Sequence, residues 1–163
     1  MNTLSPRTAT AVGVLLIVAP LIGMTLKLFS FGWMMLFVIF GPIFVMLAGY
    51  VVQIVIAAQG FLSKRQLFGA GARRAAIAAL TTSAGIVLLG LTMPDGGDVG
   101  YGSTLQVWLG SYGPNADAVH ASTDGLTDAV ALIAGIAWVG GFLWLFAEWI
   151  FALGRRRRTQ LGR

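Results

Sequence analysis

Four side chains with lone pairs recur at short intervals in one stretch of the chain: Asp117, His120, Asp124 and Asp128, separated by three, four and four residues. Carboxylates and an imidazole together can hold a divalent cation or relay protons, because the imidazole titrates near neutrality and all four offer oxygen or nitrogen lone pairs. On a helix starting near Asn115 or Ala116 the four would form one stripe. Gly125 would interrupt that stripe, and the Ser122-Thr123 pair with Gly113 and Pro114 reads more simply as loop, with Thr123 or Asp124 capping a helix that begins near 126. The expectation is therefore that no metal is bound, with Asp117, His120 and Asp124 as weak candidates.

Asp128 differs from its neighbours because it opens an apolar run, while Lys27 closes another. A Lys27–Asp128 ion pair fastening the first helix to the fourth is the expected structural use of both. Glu148 is the remaining acid. It lies within the last apolar run, where burying a charge is costly and a partner is required. Its face also carries Gly141, Ala137 and Ala134, so it is expected to point into a packed interface and to pair with Arg73, Arg74 or Arg155. Gln53, deep in the second run, is expected to bond another helix, because an unpaired amide in hydrocarbon is costly.

Other chemistry is excluded by what the chain lacks. There are no cysteines, which removes disulfides, thiolate metal sites and iron–sulfur clusters. One histidine cannot provide bis-histidine haem ligation within this chain. No nucleophile has a recognisable base partner, and no glycine pattern joins a strand to a helix. A catalytic activity of its own is not expected, nor is a cofactor. The rings of Trp33, Trp108, Trp138, Trp144 and Trp149 are open to lipid, quinone or pigment contact, but nothing else in the sequence calls for it, and interfacial anchoring and packing account for them.

The elements that must position these residues follow from hydropathy. Of 163 residues, 57% are hydrophobic and 10% charged, against about a quarter charged in soluble domains. The expected fold is all-α, a single domain (1–163) of four transmembrane helices at about 8–28, 33–58, 74–94 and 126–153. The first is read as a retained helix rather than a cleaved leader, because a second long apolar segment follows at once. Pro20 should kink it, and Gly41-Pro42 should break the second near mid-membrane. In the third, Ala75, Ala78, Thr82 and Gly85 share one face and suit close helix approach. Thr104–Leu109 has the makings of a short surface helix within a 95–125 loop.

The stretch from Asp95 to Asp128, which contains that loop, holds five of the six carboxylates and no Lys or Arg. Arg7, the four bases of Lys64–Arg74 and the five of Arg155–Arg163 make ten of eleven basic residues on the opposite side. The positive-inside rule then places both termini in the cytoplasm and the acidic loop outside. The net charge of +5 thus reads as topology signal and anionic-lipid contact, not nucleic-acid binding. Ala- and Gly-rich, Lys-poor usage points to a bacterial plasma membrane. Membrane lipids and other membrane subunits are the expected partners. Two functions fit: an accessory or scaffolding subunit of a larger membrane complex, or a small oligomeric transporter or channel using Asp128 or Glu148 for cation or proton coupling.

Overall fold

The computed structural model describes residues 4–63, 67–98 and 100–161, with 159–161 as backbone only. Lys64 and Arg65 of the expected basic loop, and Arg163, lie outside them. Four helical segments are long and apolar enough to cross a membrane: Pro6–Ser30, Ile43–Leu62, Gly69–Thr92 and Ala116–Arg158. Within them lie α1 (Pro6–Lys27), α3 (Ile43–Ala57), α4 (Ala72–Thr92) and α6 (Ala116–Leu161). The described residues also include two short α-helices, α2 (Trp33–Phe40) and α5 (Thr104–Trp108), a two-stranded hairpin, β1 (Asp95–Gly96) with β2 (Tyr101–Gly102), and single turns of 3-10 helix at Leu28–Ser30 and Gly69–Gly71 and of π-helix at Ala58–Leu62.

Local chemistry sets several boundaries. Ser5 caps α1 by accepting from the Thr8 N–H at 3.2 Å, with Pro6 at the first helical position, where its missing N–H costs nothing. Ser103 and Gln106 form a reciprocal capping box that starts α5. The second apolar run does not make one broken helix from 33 to 58. Gly41 and Pro42 leave helical geometry and separate the eight residues of α2 from α3. Since Ile43–Leu62 alone is 20 residues long, the break stands at the start of a span and not in its middle.

The larger correction concerns the 95–125 segment, which is not a loop. It folds into the hairpin, α5 and the first turns of α6, which begins at Ala116, ten residues before the expected start at 126. Gly125 sits in the helix with open space beside it. A glycine costs a helix interior about 1 kcal/mol. Gln106, bonded to Thr123 and Asp124 in the preceding turn, offsets that.

Helix α4 is central, with α1 on one side and α6 on the other. Its small residues permit this: Ala75, Ala78 and Thr82 are fully buried and Gly85 is buried beside them. A Cβ on Gly85 would fall 2.5 Å from the Trp138 backbone nitrogen, so α6 crosses there at backbone contact. Its seam continues through Ala131, Ala134, Gly141, Leu145, Glu148 and Ala152, all buried, at alternating steps of three and four apart from the Trp138 position between Ala134 and Gly141. On the other side Gly90 meets the backbone of Gly23. The seam of α1 is Ala9, Val12, Leu16, Ala19, Gly23 and Lys27. Lys27 therefore ends a face that points into the bundle.

Candidate functional site

The acidic end of the bundle is organised by Asp95, not by Asp128. Asp95 is 3% exposed and its carboxylate accepts from the N–H groups of Gly32, Met34 and Met35 at 3.2, 2.9 and 3.1 Å, and from Gly96 at 2.9 Å. The first three are the orphan donors at the start of α2, so a residue sixty positions away caps that helix. Gly32 is what lets it in: a Cβ there would lie 2.5 Å from Asp95 Oδ1. Lys27 completes the arrangement. Its Nζ donates to Ser30 O (3.2 Å), Ser30 Oγ (3.0 Å) and Met93 O (3.0 Å) and stands 3.6 Å from Asp95 Oδ2.

This replaces the expected Lys27–Asp128 pair, and the reason is register. The Gly23–Gly90 contact aligns α1 and α4, which run in the same direction. Lys27 is four residues beyond the contact and Asp95 five, so the two chains deliver them to one level. Asp128 is exposed on α6, where its charge faces Tyr101.

The remaining polar residues of this end fasten the cap. Thr104 Oγ1 donates to Leu26 O at 2.6 Å and lies 3.1 Å from Ser30 Oγ. Gln106, fully buried, donates through Nε2 to Thr123 Oγ1 at 3.0 Å and to Asp124 Oδ1 at 2.7 Å. Asp124 also lies 2.9 Å from His120 Nδ1. The Tyr101 ring packs on His120 at a centroid distance of 5.7 Å. Partial burial raises the Tyr101 phenol above its ordinary value, and the nearby charges of Asp128 and Asp124 add to this.

The stripe that an early helix start would make thus exists on α6, against the loop expected there, but only His120 and Asp124 touch. Asp117 is exposed and makes no contact with them. No three of His, Cys, Asp and Glu among the described residues gather as a metal would need. An imidazole held by a carboxylate is an oriented base, yet among the described residues no hydroxyl is bonded to it as a nucleophile would be.

At the basic end, Glu148 is 7% exposed and points at α4. Arg74 holds it through two contacts, Nε to Oε1 at 3.0 Å and Nη2 to Oε2 at 3.3 Å. The fork geometry satisfies both oxygens at once. Trp149 beside it donates to Gln59 Oε1 at 3.0 Å. Gln53 is buried and bonds α1 through Leu16 O, with Tyr50 donating to Ile17 O at 2.9 Å.

Sequence reasoning missed Asp95 and Gln106. Asp95 carried a usable signal, since it follows the third apolar run as directly as Lys27 ends the first. Comparison of the chain with protein-family models, curated proteins and solved structures finds no match.

Proposed function

We propose that the chain is a multi-pass bacterial plasma-membrane protein with both termini in the cytoplasm, serving as a non-catalytic accessory or scaffolding subunit of a larger membrane complex. The observation that carries this reading is the way the charges are spent. Lys27 and Asp95, and Arg74 and Glu148, are held against each other. Arg74 engages both oxygens of Glu148, which is the arrangement of a structural pair. What the molecule offers outward is apolar: Phe40, Phe44, Val45, Leu132, Ile133 and Ile136 are all more than half exposed. Such flanks suit lipid and neighbouring helices.

Native mass spectrometry of the protein extracted from its own membrane in mild detergent tests this. Stoichiometric protein partners are the expected result. A lone homo-oligomer that conducts ions in liposomes, with conduction lost in Glu148→Gln, would replace the subunit reading by a transporter. Reporter fusions at each end, and within the Asp95–Asp128 segment, test the sidedness that the basic residues support.

A further inference from the structure

We infer that the bundle holds one hydrocarbon chain of a membrane amphiphile in a bent apolar cavity between α1, α3, α4 and α6. Two cavities, of about 480 and 170 Å³, share Met24, Met46, Ile86 and Trp138 as walls. They exist because, among the described residues, the side-chain bonds that fasten α3 to α1 come from its second half, Tyr50 and Gln53. Its first half stands away from α6, and α2 closes over the smaller cavity with Met34, Met35 and Val38.

Three properties define the occupant. Size comes first: 480 Å³ lies within the range of about 300–1,000 Å³ that takes small molecules. A transmembrane helix about 10–12 Å across could lie over the opening without filling the cavity, whereas a single hydrocarbon chain fits inside it.

Polarity comes second. The lining groups able to greet a headgroup are turned elsewhere: Tyr50 and Gln53 donate to α1 carbonyls, and the Lys27 ammonium is engaged by Ser30, Met93 and Asp95. The walls that remain are apolar, so the cavity fits a chain and leaves its headgroup outside.

Wall character comes third. Met24, Met34, Met35, Met46 and Met93 all line the smaller cavity. Unbranched thioether side chains adapt to an irregular or unsaturated chain better than branched ones do. The rim residues Leu21, Val45, Leu47 and Val139 are exposed on the flank of the spanning segments, which gives a chain its way in from the bilayer.

This inference rests on the membrane placement proposed above, and Trp fluorescence separates the two. Trp138 lines both cavities, whereas Trp144 is 43% exposed on the outside of the same helix. Proteins retaining only Trp138 or only Trp144, the others changed to Phe, are delipidated in detergent and titrated with brominated phosphatidylcholine or with a long-chain isoprenoid quinone.

Quenching of Trp138 should saturate near one chain per protein, while Trp144 follows the bulk mole fraction. Saturation by the brominated lipid identifies a phospholipid acyl chain; saturation by the quinone alone identifies an isoprenoid chain. Gly49 lines the larger cavity with nothing near the position of an added Cβ, so Gly49→Phe fills it without moving backbone, and Gly49→Leu is the smaller plug should Phe prevent folding. Either should weaken saturable quenching by about tenfold or more, the scale on which a blocked apolar contact discriminates. Linear quenching of both tryptophans, indifferent to Gly49 substitution, overturns the chain site. Absence of Trp144 quenching by brominated bilayers overturns the membrane placement instead.

Discussion

The side-chain amide of Gln53 donates to the carbonyl of Leu16 at 2.6 Å, in the place of the backbone N–H that Pro20, four residues further along α1, does not have. A proline inside a helix orphans the carbonyl one turn back, and in an apolar interior that acceptor needs another donor. Gln53 from α3 supplies it, and Tyr50 serves the next carbonyl, Ile17. The helix defect and the polar residues opposite it are one device.

Coupling between the two positions is the direct consequence. Gln53→Leu should destabilise the fold by about 1–3 kcal/mol, the cost of leaving a buried acceptor unpaired. In a Pro20→Ala background the backbone N–H returns and the same substitution should cost measurably less. Unfolding in detergent of the four proteins of the cycle measures this. Strict additivity would show that the amide and the proline are independent.

Asp95 and Lys27 make unequal demands on the fold. Asp95→Ala should remove the cap of α2 and leave the Lys27 ammonium buried, a loss on the order of 3–5 kcal/mol. Lys27→Met leaves the four N–H bonds to Asp95 in place, so amide exchange at Gly32, Met34 and Met35 should stay slow there and quicken in Asp95→Ala. Asp128→Asn should alter neither. If Asp128→Asn destabilises as much as Asp95→Ala, the pairing described here is wrong.

Close helix approach predicts opposite outcomes for two glycines. Gly85→Ala forces its methyl onto the Trp138 backbone and should cost about 1–3 kcal/mol or more by overpacking. Gly49→Ala meets nothing and should be neutral or slightly stabilising through helix propensity. Thermal unfolding of both in the same detergent decides the matter.

Tyr101 offers a pH signature outside the membrane-crossing segments. Its phenol is held above the ordinary value near 10. Because the raised value belongs to the folded state, the group costs no stability below the ordinary pKa. The penalty grows as pH rises past that value and is complete once the folded phenol ionises. Phenolate absorbance in a protein with Tyr50 and Tyr112 changed to Phe should show the raised midpoint, and Asp128→Asn should lower it. A midpoint at or below the ordinary value contradicts the charge arrangement around His120.

Much of the architecture was legible because lipid-compatible helices need long uncharged runs, and the chain supplies four. The small-residue face of α4, the short helix at 104 and the inward direction of Glu148 followed from spacing, and Gly41-Pro42 marked a break whose place, ahead of the span and not within it, only the structure shows. Lys27 was recognised as needing a partner, but choosing between Asp95 and Asp128 required the Gly23–Gly90 register, which exists only after packing. The start of α6 was hidden for a different reason. Ser122, Thr123 and Gly125 resemble a loop leading into an N-cap, whereas Gln106 and Tyr101 hold that segment from outside it.

At 46 residues, α6 is about 69 Å long, more than twice a bilayer's hydrocarbon thickness. Its closest approach to α4 marked by a glycine, Trp138 on Gly85, falls at its midpoint. Only about 30 Å of that length fits inside hydrocarbon, so roughly 39 Å of helix stands clear of it as a post. The polar turns around His120 and the Arg155–Arg158 run are its two ends.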